Sequence, residues 1–448
     1  MTKSFSAIRL PRHIGVSGWN EILPKQDPAK PLESDISCDF AVIGAGFAGL
    51  CAARRLRQLN GDARIVLLDA GRVGEGAAGR NSGFMIDLPH VLTSEDYAGQ
   101  SDEKDQQLIR LNRMAIRFAS EAVEEYEVDR GFFDPAGKIN GAASTSADGQ
   151  NRSYAVHLDK LNEPYEIFDA PAMFELTGSR HYLSGLYTPG TVLIQPAGYV
   201  RGLATGLSAT MAIYENTPVT GFKQVGVDWK AATPKGAVTA HRLILANNGH
   251  LESFGFMRRR LMHVFLYATM TKTLDLETLR LLGGGSRWGI TPSNPMGTTL
   301  RKIDSLCGGD RIIARTCASF HPGMETSEGQ LARAKRVMRR KFDDRFPNLA
   351  GFPMEYAWSG HICLSMNSVS VARELEEGVY VACCQNGLGA TRGTLTGIAA
   401  AEGASGVSSE IRSYFEAEAQ PSRLPPEPLS TIGANVVLRW KEWKARQE

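Results

Sequence analysis

The chain has 448 residues, with 50 basic and 48 acidic side chains and a formal net charge of +2. This length predicts two domains, and the balanced charge gives no argument for a nucleic-acid or membrane-surface partner. The sequence has no apolar run long enough to span a membrane, no hydrophobic signal core, and no cysteine spacing typical of a disulfide framework or a metal site, so we expect a cytoplasmic protein without a metal.

The segment 39–69, which follows a proline-containing arm over 1–37, has the order of a dinucleotide-binding βαβ unit. An apolar run at 40–43 predicts a buried strand, three glycines follow at G-x-G-x-x-G spacing, and a helix, a second apolar strand and an acid complete the unit. The glycines permit a tight turn, close approach of the backbone to a pyrophosphate, and close packing of helix on strand. The acid lies where it would accept from a ribose hydroxyl. The predicted nucleotide contacts are Gly44, Gly46, Phe47, Ala48, Gly49 and Asp69.

Apolar spacing and turn residues predict the remaining elements. In chain order they are a helix over 101–129, mixed strands and loops over 131–190, a helix over 199–212, a strand pair at 213–215 and 219, a strand over 238–246, an antiparallel sheet within 261–320, a basic helix over 327–346, a strand over 378–384, a helix over 394–403 and a basic tail helix near Trp440 and Trp443. Strands of nucleotide-binding type therefore occur near the start, middle and end of the chain, with antiparallel character between them.

Three further segments favour FAD over a nicotinamide cofactor. They are a small-residue loop over 72–83, a strand and turn over 243–249, and a glycine-rich segment over 379–397, whose helix directs its positive N-terminal end toward the flavin. A nicotinamide enzyme needs no such third element. The predicted FAD contacts in these parts of the chain, with an adenine contact from the backbone after the middle helix, are Ala70, Arg72, Gly79, Arg80, Asn81, Ser82, Val219, Asn248, Gly249, Gly387, Leu388, Gly389 and Thr391.

This order predicts an α/β fold in which a second domain interrupts the nucleotide-binding domain. We expect the FAD-binding domain to be Rossmann-like, with a mostly parallel sheet of the glutathione-reductase type, and the substrate-binding domain to be α+β on an antiparallel sheet. The predicted division is an arm over 1–37, an FAD-binding domain over 38–100, 190–260 and 355–420, a substrate-binding domain over 101–189 and 261–354, and a tail over 421–448.

Several motifs between about residues 15 and 405 match one family. They are Trp19 in the arm, the glycine run 42–49, Val-Gly-Glu-Gly-Ala-Ala-Gly-Arg-Asn-Ser-Gly over 73–83, Gln195-Pro196, Gly-Thr-Thr-Leu-Arg over 297–301, Trp-Ser-Gly over 358–360 and Asn-Gly-Leu-Gly over 386–389. In these motifs the chain resembles FAD-dependent oxidoreductases of the D-amino-acid oxidase type, most closely the branch that contains gamma-glutamylputrescine oxidase. The resemblance implies oxidation of a C–N bond by hydride transfer to flavin N5, an imine that hydrolyses, and reoxidation by O2 or another acceptor.

Three positions depart from the pattern of that family. Leu388 stands where relatives often carry His, Cys384 where Gly is frequent, and Ser82 at the second glycine of a Gly-Arg-Asn-Gly-Gly run. These changes bear on substrate identity and oxygen reactivity more than on FAD binding. Because the loop 79–84 has no His, to which some relatives attach the flavin, we expect non-covalent FAD.

The candidate substrate contacts lie later in the chain. An arginine fork binds a carboxylate in bidentate fashion, so Arg301 and Arg315 are candidates for holding an amino-acid carboxylate, and the family match favours Arg301. His361 is a candidate base or orienting group for the amine, and Trp358 a candidate wall beside it. Each of these residues also has an ordinary structural interpretation. We predict His361, Arg301 and Trp358 as the catalytic residues.

The sequence therefore predicts an FAD-dependent oxidoreductase for a small amine or N-substituted amino acid, with O2 as acceptor and H2O2 as product. Three alternatives stay open at this point. They are an FAD-dependent dehydrogenase that uses a quinone or protein acceptor, a nicotinamide-dependent Rossmann dehydrogenase, and a flavin-binding subunit of a larger complex. The sequence specifies neither the substrate nor the oligomeric state.

Overall fold

The computed structural model describes residues 3–89 and 102–448. In chain order the strands are β1 (Ser4–Ser6), β2 (Ile36–Ile43), β3 (Ile65–Leu68), β4 (Phe84–Met85), β5 (Phe133–Asp134), β6 (Lys138–Ala142), β7 (Glu166–Asp169), β8 (Ser184–Thr188), β9 (Val192–Ile194), β10 (Ala212–Tyr214), β11 (Gly221–Val225), β12 (Asp228–Ala232), β13 (Ala237–Leu245), β14 (Met262–Thr271), β15 (Trp288–Pro292), β16 (Thr299–Ile303), β17 (Arg311–Phe320), β18 (Met354–Leu364), β19 (Glu374–Glu376) and β20 (Val379–Val381). The α-helices are α1 (Gly18–Glu21), α2 (Phe47–Leu59), α3 (Asp102–Glu125), α4 (Thr145–Leu161), α5 (Ala170–Thr177), α6 (Pro196–Leu207), α7 (Leu276–Leu282), α8 (Glu328–Arg345), α9 (Gly389–Ala404), α10 (Glu410–Ala417) and α11 (Leu429–Lys444).

Nine of these strands form a first sheet around a parallel centre. Strands β20, β13, β2, β3 and β10 pair in parallel, and β12, β11 and β1 extend the sheet antiparallel from β13. The last four residues of β2 are buried, as expected for a parallel strand that is covered on both faces. The carboxyl ends of β2, β13 and β20 therefore meet at one edge, which is where open α/β sheets bind ligands.

Helices α2 and α9 pack against each other beside this sheet. A Cβ atom at Gly397 in α9 would lie 2.2 Å from the backbone oxygen of Ala48 in α2, so only glycine permits this approach. The crossing places the N-terminal ends of both helices near the carboxyl ends of the central strands.

Eight strands form a second sheet, in the order β18-β14-β17-β16-β15-β6-β8-β7. All neighbours pair antiparallel except β15 and β6, which are parallel. Helix α8 covers one face, where Leu331, Ala334 and Met338 pack with Phe265 and Tyr267 of β14. The predicted antiparallel sheet thus forms, and β18 belongs to it.

Two sequence predictions of local structure were wrong. The segment 131–190, predicted as strands and loops, contains α4 and α5, whose first turns are capped by Ser144 and Asp169. Weak helix formers such as Gly149 and Asn151 hid the helical spacing of α4. The predicted pair at 213–215 and 219 does not form either, because β10 pairs in parallel with the distant β3, and Val219 lies between β10 and β11.

The predicted domain boundaries stay a prediction. Strand β18 lies in the second sheet, although the segment 355–420 was assigned to the FAD-binding domain. The arm joins the first sheet through β1 and also reaches β18, where Ile14 and Ser359 exchange backbone and hydroxyl hydrogen bonds. Residues 90–101, which include the predicted boundary at 100 and the predicted helix start at 101, lie outside the described residues. Within 3–89 and 102–448, no helix is long and apolar enough to cross a membrane.

Candidate active site

The glycine turn after β2 packs closely against neighbouring backbone. Gly44 has a φ of +108°, and a Cβ atom there would lie 2.7 Å from the backbone oxygen of Ala246. A Cβ atom at Gly49 would lie 1.7 Å from the backbone oxygen of Gly44. Glycine is therefore required at both positions by the fold itself, and Gly46, between them, is the N-cap of α2.

The N-terminal ends of α2 and α9 carry amide groups that no side chain caps. The N-cap residues are Gly46 for α2 and Leu388 for α9, and neither helix has a side-chain cap among the residues described. By contrast, side chains cap six other helices, namely α4, α5, α6, α7, α8 and α10. Orphan amides and the positive end of the helix dipole favour an anion or a carbonyl oxygen as partner. Two such helix ends at one edge of the sheet suit a ligand that carries both an anionic group and a carbonyl oxygen.

Asp69 lies at the end of β3, beside the glycine turn. Its carboxylate accepts hydrogen bonds from the backbone N–H groups of Ala45, at 2.7 Å, and Gly71, at 2.9 Å. Burial raises the pKa of Asp69 to about 6. Each carboxylate oxygen keeps a lone pair for a further donor, so the predicted ribose contact is sterically and chemically possible.

The loop 79–83 is held by the N-terminal arm and by the second sheet. The indole N–H of Trp358 donates to the carbonyl of Arg80 at 2.9 Å, and that of Trp19 donates to the carbonyl of Asn81 at 2.8 Å. The Arg80 guanidinium donates to the carbonyls of Gly15 and Ser359, and burial lowers its pKa to about 10. Trp358, predicted as a wall for the amine, is fully buried and positions this loop.

Arg301 holds the same loop. Its buried guanidinium donates to the carbonyls of Gly83, at 2.5 Å, and Ile194, at 3.3 Å. Burial lowers the pKa of Arg301 to about 10. Among the described residues that line the cavity below, Arg315 is present and Arg301 is absent. This placement gives Arg301 a positioning role, and its predicted contact with a substrate carboxylate has no support in the geometry.

A cavity of about 800 Å³, including its opening to solvent, lies between the N-terminal end of α9, the loop 77–86 and strands β14, β15, β17 and β18. Its wall is largely apolar, with Phe84, Ile86, Leu266, Ile362 and Leu388. Its ionisable lining residues in the described chain are Arg80, Tyr267, Arg315 and His361, with no Asp or Glu among them. The wall of the cavity is therefore apolar and carries positive charge.

His361 ends a chain of hydrogen bonds that starts outside the cavity. Nε2 of His361 lies 3.1 Å from Nδ1 of His263, and Nε2 of His263 lies 2.7 Å from Oε2 of Glu252. Burial, and next the charge of His263, lower the pKa of His361 well below its usual value. With Glu252 ionised, His263 donates from Nε2 and accepts at Nδ1 from His361, which leaves Nδ1 of His361 as an acceptor.

The family model for DAO, the FAD-dependent oxidoreductases, matches residues 39–403. The chain belongs to this family.

Known relatives align with most of this chain. The probable oxidoreductase OrdL of Rhizobium meliloti is 26% identical over 407 residues, which cover 89% of this chain and 90% of that protein. The gamma-glutamylputrescine oxidoreductase of Escherichia coli is 23% identical over 394 residues, which cover 84% and 86%. The structure of glycine oxidase from Geobacillus kaustophilus superposes with a TM-score of 0.69 at 16% identity and covers 87% of this chain and all of that one. These comparisons confirm the predicted resemblance and fold class.

Membership in the DAO family makes FAD the cofactor, as predicted, and excludes the nicotinamide alternative. The geometry fits this group. Gly44 and Gly46 are partly exposed beside the uncapped end of α2, so a pyrophosphate can approach the backbone there, and the uncapped end of α9 faces the cavity. The positive φ angles of Asn386 and Gly387 form the turn that brings the backbone to this end. Non-covalent attachment stays a prediction.

The other predicted FAD contacts lie in several parts of the structure, and their roles stay predictions. Arg80, Asn81, Ser82, Gly387, Leu388 and Gly389 line the cavity. The side chain of Arg72 pairs with Glu215 and donates to the carbonyl of Asp27, and that of Thr391 donates to the carbonyl of Ile86 at 3.0 Å. Val219 has a buried side chain in the core beside the first sheet. Phe47 and Ala48 lie in the first turn of α2, and Ala70 follows Asp69.

The turn after β13 contacts both the segment after β20 and the pair of histidines on β14 and β18. Asn248, at a φ of +49°, accepts a hydrogen bond at Oδ1 from the backbone N–H of Cys384, at 3.0 Å. A Cβ atom at Gly249 would lie 2.9 Å from the rings of both His263 and His361. The predicted contacts of Asn248 and Gly249 with FAD stay predictions, and the structure gives both residues a packing role.

Sequence reasoning missed Glu252 and His263. His263 lies on β14 and His361 on β18, and these strands pair so that Phe265 is opposite His361. The signal in the sequence was that His263 and His361 lie two residues apart in register when β14 and β18 pair. It could be used only once β18 was assigned to the second sheet.

Proposed function

We propose that the chain oxidises the C–N bond of a small amine that carries a carboxylate, such as an N-substituted amino acid. The carbon next to the nitrogen gives up a hydride, and water hydrolyses the resulting imine to a carbonyl compound and an amine. The names of two relatives support this substrate class, because gamma-glutamylputrescine and glycine each carry an amine and a carboxylate.

The residues described above would hold FAD through its pyrophosphate, a ribose and the flavin ring. The pyrophosphate would lie at Gly44, Gly46 and the first turn of α2, a ribose at Asp69, and the flavin beside the loop 79–82 and the first turn of α9. When bound there, FAD supplies a hydride acceptor, which no side chain of the protein provides.

The observation that carries the proposal is the charge of the cavity wall. Arg315, half-buried on β17, faces the cavity, and no described acid lines it. A guanidinium binds a carboxylate through two parallel hydrogen bonds. Because no described acid lines the cavity, its apolar and positively charged wall favours the neutral form of the reactive amine, which is the form that can release a hydride.

His361 would accept the proton that the substrate ammonium must lose. Burial keeps the imidazole neutral at pH 7, and the hydrogen bonds to His263 and Glu252 present Nδ1 as the acceptor. A proton taken up at Nδ1 lets Nε2 release its own proton toward His263. Glu252, with about a quarter of its side chain exposed, stabilises the positive charge on this pair.

The role of His361 is tested by the pH dependence of kcat/KM. We expect His361→Gln to lose about a hundredfold in kcat/KM below the pKa of the substrate ammonium, and Glu252→Gln to lose less. Both variants should recover at high pH, because the amine is then already neutral. Asp228→Asn is the matched control, since Asp228 pairs with His241 on the exposed β12–β13 hairpin. A pH-independent loss would contradict the proton role.

Anaerobic titration of the purified flavoprotein tests the reaction itself. We expect an N-alkyl amino acid to bleach the visible flavin bands, and the matched amine without a carboxylate to bleach them only at much higher concentration. Admission of air should restore the bands with one H2O2 per substrate if O2 is the acceptor. Bands that return only with a quinone or dye would assign the dehydrogenase reaction. Failure of every amine to bleach the flavin would overturn the proposal.

A further inference from the structure

Helix α11 exposes an apolar stripe on its outer side. Leu429, Ile432, Val436, Trp440 and Trp443 are spaced by three or four residues and lie on one helical face. Between 47% and 64% of each of these residues is exposed. Isolated exposed apolar residues are ordinary, but a contiguous row that includes two tryptophans marks an interaction surface.

The inner side of α11 is fixed to the second sheet. Asn435 accepts a hydrogen bond from the N–H of Phe320 and donates to its carbonyl, and Glu442 accepts from the N–H of Ala318. Glu442 also pairs with Arg333 of α8 at 2.5 Å. Leu438 packs against the cluster that contains Ala318 and Phe320. Because these contacts set the rotation of the helix, the apolar stripe cannot turn inward.

Positive charge borders the stripe at both ends. At the N-terminal end, Arg258, Arg259 and Arg423 are exposed, and Arg259 donates to the carbonyl of Leu424. At the C-terminal end, Lys444 lies 4.0 Å from the ring centre of Trp440, and Arg446 lies 4.8 Å from that of Trp443.

Few acids offset these cations. Glu427, two residues before α11, is exposed, and its carboxylate accepts hydrogen bonds from Ser430 and Thr431. The neighbouring α8 exposes Lys335, Arg336 and Arg340, and also Glu328 and Asp344. The exposed cations at the ends of the stripe and on α8 therefore outnumber these exposed acids.

We propose that the outer face of α11 docks on an anionic lipid bilayer. Tryptophan and aliphatic side chains would enter the headgroup region, while the bordering lysine and arginine side chains would contact anionic headgroups. From Leu429 to Trp443 the helix extends about 21 Å at 1.5 Å per residue, so it would lie along the surface. A second copy fits less well, because a two-fold contact between stripes would bring the cations that border each end toward those of the other copy.

Co-sedimentation of the full flavoprotein with lipid vesicles tests this surface. We expect binding to vesicles of phosphatidylcholine with about one-third phosphatidylglycerol, little binding to pure phosphatidylcholine, and a decline as salt screens the charges. The variant Trp440→Ser/Trp443→Ser should bind at least about tenfold more weakly. Val225→Ser/Val227→Ser is the matched control, because both valines are exposed on the β11–β12 hairpin, and it should bind like the parent protein.

A second pair of variants separates the charge contribution. Lys444→Glu/Arg446→Glu should bind anionic vesicles more weakly and with a shallower salt dependence, whereas the exposed pair Lys160→Glu/Lys272→Glu should leave binding unchanged. Unaltered flavin spectra and turnover would show that each variant is folded.

Three results would overturn the proposal. The first is no binding to anionic vesicles, and the second is equal binding by the double tryptophan variant. The third is a concentration-dependent dimer in lipid-free buffer that the same variant abolishes, which would assign the stripe to a second copy. None of these results bears on amine oxidation, so the two proposals fail separately.

Discussion

The two walls of the candidate active site are built from different parts of the chain. The wall for FAD consists mainly of backbone, at the turn of Gly44 and Gly46 and at the first turns of α2 and α9. The wall for the substrate consists of side chains, with Arg315 on β17 and His361 on β18. A backbone site constrains residue type at a fixed local spacing, whereas a side-chain site depends on which distant strands become neighbours.

This difference implies separable effects of mutation. Changes in the backbone wall should reduce FAD binding and folding stability together, because the same glycines serve both. Changes in the side-chain wall should alter KM, kcat or their pH dependence while the protein retains FAD. The following predictions test this separation, from the largest expected effect to the smallest.

We expect Gly49→Ala to abolish FAD binding and to lower the free energy of unfolding by about 3 kcal/mol or more. A Cβ atom there would lie 1.7 Å from the backbone oxygen of Gly44, which cannot move without opening the turn. The FAD content of the purified protein and its thermal unfolding measure the two effects. Gly61→Ala is the control, since a Cβ atom there meets no described atom within 4 Å. Normal FAD content in Gly49→Ala would contradict the close-packed turn.

We expect Arg315→Gln to raise KM for a carboxylated substrate by about a hundredfold, because a desolvated guanidinium–carboxylate pair is lost. FAD content should not change, and a substrate analogue without the carboxylate should show little change in KM. Arg336→Gln, on the exposed side of α8, is the matched control. Steady-state kinetics with both substrates give the answer, and an equal rise in KM for both would assign Arg315 to structure.

Arg301→Gln makes the comparison sharper, because the Arg301 guanidinium binds the carbonyl of Gly83 in the loop and that of Ile194 in β9. We expect this variant to lose FAD affinity and stability, with an unchanged preference for carboxylated over uncharged substrates once FAD is saturating. A selective rise in KM for the carboxylated substrate would restore the role that the sequence predicted for Arg301.

The division into a backbone wall and a side-chain wall also explains which features could be predicted from the sequence. The glycine turn, Asp69 and α9 were found from spacing because their constraints are local. Trp358 and Arg301 were recognised as notable residues, but their placement against loop carbonyls depends on how β18 and β16 approach the loop. His263 was missed because its partner His361 lies about a hundred residues away on a strand that was assigned to the other domain, and Glu252 was missed with it because Glu252 contacts His361 only through His263. Local rules carry no information about such pairs.

We expect FAD affinity to rise about tenfold as the pH increases through the pKa of Asp69, which burial raises to about 6. Ribose hydroxyls donate to the ionised carboxylate, so binding favours that form. The FAD-free protein should show the opposite trend. Because the pKa of Asp69 in the folded protein is raised above the usual 3.8, the free energy of unfolding should fall as the pH rises from about 4 to about 6. Fluorescence titration with FAD across this range measures the first effect and urea unfolding the second, and Asp69→Asn should remove both.

The smallest expected effect concerns the loop that lies between the two walls. Trp358→Phe removes one hydrogen bond, from the indole N–H to the carbonyl of Arg80, while it keeps most of the buried ring. We expect a loss of about 1 kcal/mol, which corresponds to about fivefold weaker FAD binding, and an unchanged KM for the amine. Trp19→Phe removes the equivalent bond to Asn81 from the arm and should give a similar loss. If Trp358→Phe instead raised KM with FAD affinity intact, the indole would belong to the substrate wall, as the sequence predicted, and the separation of the two walls would fail at this residue.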